Sequence, residues 1–403
     1  MLRAGAKRYL HRRRPANICA CLHVAETGSA VQQSVAVPVP LCRRPGLYED
    51  AVGSLMAWRT WARASVVQVG NSFTLQDDGP SEADLQREVE WLLEDVVEAV
   101  QEHAEQPWEQ TSWRELQPAV RSAEARRQQP AKWTLRLRMS VDKLHKLWHQ
   151  RLHERAPLQY LTASAHWRDH VLAVGPGVLI PRPETEIFPD LVSAAVAKRP
   201  GLALLPWADL GTGSGAIAIG TAEVLARTCK APRVLAVDFS PIAVAYAHAN
   251  AVAAGRSHHV QVMQGSWYEP IAQHLAGSPQ AAADLGLQSG KLGGVLSNPP
   301  YIPSSVIQAG LQAEVGRHEP STALDGGPGA GMDSLKVVCQ GAVQWLAPGG
   351  FLALETAGAE QAAQVASLLG ALPGADGPAF EDVSVVPDCY QVPRFVTASR
   401  TAA

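Results

Sequence analysis

Apolar and polar positions along this chain change rhythm near residue 200. Before that point they recur at helical spacing. Leu85, Val89, Leu92, Leu93, Val96 and Val97 share one face of a helix that begins behind Ser81-Glu-Ala-Asp84, a sequence with the form of a capping box. Val141, Leu144, Trp148 and Leu152 form a similar stripe behind Ser140. The pattern predicts a small helical domain over 48–155, with most of these side chains packed on one another. Beyond residue 200 short apolar runs alternate with helical stretches, the runs covering 203–209, 233–238, 260–264, 293–297, 350–355, 383–386 and 394–398. Such alternation predicts an α/β domain over 156–403 with a doubly wound, mostly parallel, seven-stranded sheet and ligands at the carboxyl ends of its strands. Pro270 to Gly290, rich in Ala, Gln and Gly, reads as a surface insertion, and Gly370 to Pro378 as a loose loop.

Candidate chemistry falls at those strand ends. The first run closes on Asp209 and passes into Gly211-Thr212-Gly213-Ser214-Gly215, followed by the apolar Ala216-Ile217-Ala218-Ile219, which is strand, tight loop and helix. Glycines there allow positive φ and let the backbone approach a ligand without a Cβ in the way. The next run ends in Asp238, placed to accept hydrogen bonds from two ribose hydroxyls. A nucleoside ligand follows. A dinucleotide site also uses a glycine loop and a later acid, but here the glycines alternate and Asp209 precedes them. A carboxylate is an awkward neighbour for a pyrophosphate and a suitable one for the sulfonium and ammonium of S-adenosylmethionine.

The run 293–297 empties into Asn298-Pro299-Pro300-Tyr301. Asn298 offers a side-chain carbonyl, and Pro299 offers a backbone carbonyl on a segment of locked φ. Two acceptors side by side match the two hydrogens of an amide or exocyclic amine, and Tyr301 adds an aromatic surface for a flat group. The same four residues also suit a plain turn. An amide nitrogen is a poor nucleophile, and Asn298 accepts no proton at neutral pH. The expected contribution is therefore positioning and electron donation rather than base catalysis.

With both motifs in place, the chain resembles the HemK/PrmC family of protein-(glutamine-N5) methyltransferases, which act on the glutamine of the Gly-Gly-Gln motif in class I peptide-chain release factors. The resemblance runs from about 135 to 400. It includes Pro157-Leu-Gln-Tyr-Leu-Thr162, Val178-Leu-Ile-Pro-Arg-Pro-Glu-Thr-Glu186, Asp209–Ala216, Ala236-Val-Asp238, Ser266-Trp267, Ser297–Pro303, Glu319-Pro320, Ala323-Leu-Asp-Gly-Gly327, Pro348-Gly-Gly-Phe351 and Arg394-Phe-Val396. The segment at Ile180–Glu186 separates this family from other users of the two motifs. The resemblance implies a Rossmann-like class I methyltransferase sheet, with Asp209 and Gly211 to Gly215 at the donor site, Asp238 on ribose and Trp267 by the adenine. It implies that Asn298 adjoins both donor and substrate, and that Asn298, Pro299, Pro300 and Tyr301 grip the substrate glutamine. It also implies a substrate-recognition role for the helical domain. Ser266 stands where many members carry an acid, and Tyr390-Gln391 where an Ala-Gly pair is usual.

The remaining charged residues are less specific. Arg182 and Glu184 read either as part of a stiff loop into the donor site or as a surface pair. Glu314, Arg317 and Glu319 read as a solvated run or as residues that order the substrate motif. Around His166 and His318 no acidic or nucleophilic residue stands at motif spacing, so no chemistry is expected of them.

Charge sharpens the outline. The first 45 residues hold eight Lys or Arg against the single acid Glu26, and without these seven net positive charges the formal charge of −3 becomes −10. The leader, taken as residues 1–47 and as unstructured, reads as a transit peptide. A body that acidic is a poor general nucleic-acid binder, and no apolar run is long enough for a membrane span. The six cysteines show no Cys-x-x-Cys pair, so neither a disulfide framework nor a metal site is expected. Ala165–Asp169 and Leu311–Pro320 look most like plastid members of the family, which makes chloroplast stroma the expected location, with the mitochondrial matrix as the alternative. The competing readings are an amino-directed adenine methyltransferase acting on nucleic acid, a nicotinamide-dependent oxidoreductase, which leaves 298–301 unexplained, and a non-catalytic helper that binds a translation factor.

Overall fold

The computed structural model describes residues 35–125, 133–277, 280, 283, 285–287 and 290–402. They form two compact units. One holds 38–164 together with 312–318; the other holds 165–311 and 319 onward, with 35–37. The boundary thus falls at Ser164, not 155, and a short stretch beyond the Asn-Pro-Pro-Tyr motif groups with the N-terminal unit.

The N-terminal unit contains the expected helices. Ser81 caps Glu82–Val96: its hydroxyl accepts the Asp84 N–H, and the Asp84 carboxylate accepts the Ser81 N–H at 3.0 Å, closing the capping box. Leu85, Val89, Leu92, Leu93 and Val96 are fully buried, and the Ser140 hydroxyl accepts the Lys143 N–H to cap Val141–His149. Beside these helices lies a feature the periodicity did not announce. Strands β1 (Tyr48–Ala51), β2 (Val97–Gln101), β3 (Glu109–Gln110) and β4 (Thr134–Leu137) form an antiparallel sheet in the order β1-β4-β2-β3. β2 follows the helix without a break, so Val96 and Val97 satisfy both periods and hide the change.

Two expectations are corrected within this unit. Residues 38–47 are not an unstructured leader: Leu41 is fully buried, its N–H donates to the Ser164 hydroxyl at 3.1 Å, and the Arg44 carbonyl accepts from Arg138. An apolar side chain in a core holds them, while residues 1–34 lie outside the described part. Glu314 is not on a solvated face either. It is buried between Arg151 and Arg155, which also pair with Glu88 and Asp77.

The second unit opens with a hairpin, β5 (Ser164–Trp167) and β6 (His170–Ala173), and is built on the seven-stranded sheet. Its strands are β7 (Trp207–Leu210), β8 (Val234–Asp238), β9 (Val260–Gln264), β10 (Leu292–Ser297), β11 (Leu346–Glu355), β12 (Phe380–Pro387) and β13 (Pro393–Arg400), in the order β12-β13-β11-β10-β7-β8-β9. The five strands from β11 to β9 run parallel, and β13 is antiparallel to both its neighbours. All seven expected strands are present. The chain moves outward from β7 through β8 to β9, then returns to start β10 on the other side of β7. That reversal opens a crevice at the carboxyl ends of β7 and β10. The proposed surface insertion needs correction, because Ile271, Leu285 and Leu287 are buried in the sheet's main core. Among the described residues no helix is long and apolar enough to cross a membrane.

Candidate active site

The glycine loop leaves β7 and enters helix Ala216–Leu225, whose residues are almost all buried. Gly211, Gly213 and Gly215 have φ of 76°, 56° and 84°, the left-handed region in which a Cβ is strained. The five loop positions divide by exposure. Gly211 and Gly213 are half-buried, whereas Thr212, Ser214 and Gly215 point into the protein. The Thr212 hydroxyl donates to Asp209 at 2.6 Å, the Ser214 carbonyl accepts from Asn250, and a Cβ at Gly215 would meet Ala247 at 3.1–3.3 Å. The Thr212 side chain thus serves the loop itself, while Gly211 and Gly213 keep partly exposed backbone.

Asp209 also changes role. It is completely buried beneath the loop, where one oxygen accepts from Thr212 and from the Ala218 N–H at 3.0 Å; the other has no hydrogen-bond partner among the described residues. Burial pushes its carboxyl up to about 7. It fastens the loop to the start of the helix instead of facing outward to a cation.

Asp238, at the end of β8, accepts the Gly213 N–H at 2.8 Å and the Ser240 N–H at 2.9 Å, one on each oxygen. Burial raises its pKa. A carboxylate has about four acceptor sites, so two remain for a pair of hydroxyls. Phe239, the next residue, is 74% exposed. Trp267 has a φ of 48° and is half-buried. The missing Cβ of Gly211 would stand 3.9 Å from its ring and 3.8 Å from the Asn298 carbonyl, so glycine loop, tryptophan and Asn-Pro-Pro-Tyr segment adjoin at one place.

The Asn-Pro-Pro-Tyr segment is held from three sides. Ile302 donates to the Leu324 carbonyl and accepts the Gly326 N–H, both across to Ala323-Leu-Asp-Gly-Gly327. The Tyr301 carbonyl accepts from the Gln361 side chain at 2.9 Å. Gly326 and Gly331 press against the Tyr301 backbone so closely that a Cβ on Gly326 would lie 2.7 Å from the Tyr301 Cα.

Two residues without an expected role complete the site. The Thr185 hydroxyl donates to the Glu355 carboxylate at 2.9 Å and accepts the Asn298 Nδ2 at 3.5 Å, while the Tyr301 hydroxyl donates to the other Glu355 oxygen at 3.1 Å. Glu355 is 1% exposed at the carboxyl end of β11, and burial pushes it up to about 7 while raising the Tyr301 phenol strongly. Thr185 lies in the Ile180–Glu186 segment, and Glu355 ends a predicted strand. A lone acid closing an apolar run at the ligand end of a parallel sheet was the available signal. Nearby, Arg182 pairs with the buried Glu319 and not with Glu184.

No family model matches the chain. Curated relatives do. The release factor glutamine methyltransferase of Synechocystis sp. is 40% identical over 263 residues, covering 65% of this chain and 79% of that protein. The one from Thermosynechococcus vestitus is 40% identical over 264 residues, 66% and 81% of the two chains. That of Gloeobacter violaceus is 43% identical over 214 residues, 53% and 66%. The chain belongs to the release factor glutamine methyltransferase family. It is an S-adenosylmethionine-dependent methyltransferase with a Rossmann-like class I sheet. Among solved structures, the ribosomal protein L11 methylase of Lactobacillus delbrueckii aligns with a TM-score of 0.35 at 18% identity, over 59% of this chain and 89% of that one.

The residues of this methyltransferase fit its donor. Gly213 has nothing within 4 Å of where a Cβ would stand, which leaves backbone open to a ligand, and Asp238 keeps acceptor capacity beside it. Bound S-adenosylmethionine supplies an electrophilic methyl on a sulfonium.

Proposed function

We propose that this methyltransferase acts on the side-chain amide nitrogen of the glutamine in the Gly-Gly-Gln motif of organellar class I peptide-chain release factors. The observation that carries the reading is the state of the Asn298 amide. Its NH2 end is turned to Thr185, and its Oδ1 has no hydrogen-bond partner among the described residues. That oxygen and the Pro299 carbonyl form the pair of acceptors that an incoming primary amide needs. Accepting from both hydrogens places electron density on the nitrogen and aims it, a contribution of geometry and electrostatics. The methylated nitrogen is strongly acidic, so water removes the proton late.

In this reading Gly211, Gly213, Asp238 and Trp267 form the donor side, with Thr212, Ser214, Gly215 and Asp209 shaping the loop. Asn298, Pro299, Pro300 and Tyr301 form the acceptor side. The arginine-rich segment before residue 35 serves as an import leader, and plastid stroma is the proposed location. The cyanobacterial origin of the three relatives supports that choice over the mitochondrial matrix.

The test is to incubate the full chain with labelled donor and plastid or mitochondrial release factors, each with its Gly-Gly-Gln glutamine intact or replaced. Label only on the intact factors is expected. Label that persists on a replaced factor, or that appears on nucleic acid instead, overturns the acceptor.

A further inference from the structure

The donor side and the Asn-Pro-Pro-Tyr segment leave one buried carboxylate without a role, Glu355 at the end of β11. Among the described residues Glu355 makes no hydrogen bond to the glycine loop or to Asp238. Its two oxygens are taken up by the hydroxyls of Thr185, at 2.9 Å, and Tyr301, at 3.1 Å. Both partners approach from the acceptor side, one from the 3-10 turn Glu184–Ile187 and the other from the segment after β10.

Hydrogen-bond bookkeeping gives this arrangement a direction. An ionised carboxylate only accepts, and a threonine hydroxyl carries a single proton. With that proton committed to Glu355, the Thr185 oxygen has only lone pairs to offer Asn298. The Asn298 amide must then turn its NH2 towards Thr185, as observed, and its carbonyl away. Were the hydroxyl proton free, Thr185 could serve either end of the amide, and the reversed amide would present two N–H donors to a substrate NH2. Such a rotamer repels the acceptor it should hold.

We propose that Glu355 is a positioning residue that acts through the Thr185 hydroxyl to fix which end of the Asn298 amide faces the acceptor, and through the Tyr301 hydroxyl to hold the neighbouring ring. The inference rests on the amide-acceptor reading above and adds a residue that never meets the substrate. Its consequence is that the carboxylate must be ionised. A protonated Glu355 becomes a donor to one of its two partners, and the order of donors and acceptors that ends at Asn298 is lost.

Charged groups around Glu355 set where this happens. Burial raises it and Glu184 raises it further, Thr185 and Tyr301 lower it by donating and Arg394 on β13 lowers it, and the balance stands at about 7. The ionised, orienting form is therefore present above that value and lost as pH falls through it. Turnover is expected to carry an acid limb near neutrality that belongs to this residue.

The experiment uses the full chain and measures kcat, KM for the release factor and donor affinity for Glu355→Gln, Thr185→Val, Thr185→Ser and the Thr185→Val/Glu355→Gln double variant. Glu355→Gln and Thr185→Val are each expected to lower kcat by about 10- to 100-fold, the range typical of residues that orient a contacting group. Donor affinity stays unchanged, and Thr185→Ser keeps activity close to the parent. Because Thr185 acts only through this carboxylate, the double variant loses no more than Glu355→Gln alone, and the acid limb disappears from the Glu355→Gln profile. Losses that multiply, or an unchanged kcat in Glu355→Gln, overturn the assignment. A readout independent of the acceptor is the hydrogen exchange of the Asn298 side-chain NH2, assigned by its disappearance in Asn298→Ala. Exchange should quicken in Thr185→Val and Glu355→Gln, and identical rates in all proteins overturn the proposal. If the parent protein leaves every Gly-Gly-Gln factor unlabelled, the substrate reading fails while the exchange rates still decide on Glu355.

Discussion

Arg182 donates to Glu319 at 2.6 Å, and the second oxygen of Glu319 accepts the Ile180 N–H at 3.2 Å. One buried carboxylate thus fixes both backbone and side chain of the Ile180-Pro-Arg-Pro stretch, which only Glu184 separates from Thr185. The stretch is stiff because two prolines limit its φ and an ion pair holds its middle. This joins the motif that singled out the family to the residue that orients Asn298.

Replacing Glu319 by Ala leaves Arg182 without its partner and the Ile180 N–H unsatisfied. Breaking a fully buried pair costs about 3–5 kcal/mol. Because the Arg182 side chain keeps 32% exposure and can be hydrated, a loss of about 2 kcal/mol is expected. Urea unfolding of the full chain measures it, and a change below about 0.5 kcal/mol, the range of ordinary surface substitutions, counts against the anchoring role.

Much of the catalytic unit was legible because its signals are local. Each parallel strand is a short apolar run ended by a polar residue, so Asp209, Asp238 and Asn298 announced both the strand and its ligand end. What escaped depends on pairing across long stretches of chain. Glu355 meets Thr185 across 170 residues and Glu319 meets Arg182 across 137, and no spacing rule connects them. Asp209 was misread for a related reason: its position before the loop is evident, but its complete burial follows from Thr212 and Ala218 closing over it. In the N-terminal unit, β1 and β4 have four residues each and β2 continues a helix without punctuation, so the helical period masked them.

Asp238 is expected to govern donor affinity. Asp238→Ala removes the acceptor of the Gly213 N–H as well as the remaining acceptor sites, and a weakening of donor binding by about 10- to 100-fold, or roughly 1.5–3 kcal/mol, is expected. Calorimetric titration with S-adenosylmethionine measures it. An unchanged dissociation constant would remove Asp238 from the donor site.

Gly326 and Gly331 are expected to tolerate no side chain. A Cβ at Gly331 would stand 2.3 Å from the Tyr301 carbonyl oxygen, at a φ of 68°. Gly331→Ala should push Tyr301 out of place and destabilise the chain by about 1–3 kcal/mol, as overpacked sites do. Methyl transfer should fall while donor affinity holds. Parallel assays of turnover and donor binding distinguish this from general unfolding, in which both fail together.

Stability is expected to respond to pH through Asp209. Burial raises its carboxyl in the folded protein to about 7, well above its ordinary value of 3.8. A group raised in this way contributes stability that is fully present below its unfolded pKa and is lost as pH rises through the folded one. Between about pH 4 and 7, Asp209 therefore favours the folded state more as the solution is acidified. It opposes carboxylates such as Glu314 and Asp388, which partners hold below their usual range. Asp209→Asn should show a steeper loss of stability on acidification than the parent protein. Urea unfolding at a series of pH values measures it, and parallel curves for the two proteins contradict the assignment.

The most direct measurement of the amide clamp is single-turnover methyl transfer to a Gly-Gly-Gln release factor by Asn298→Ala, alongside its affinity for S-adenosylmethionine. Losing an acceptor that acts mainly in the transition state should cut the rate by about 100-fold or more with donor binding nearly unchanged. A variant that still transfers methyl groups at close to the parent rate contradicts the account.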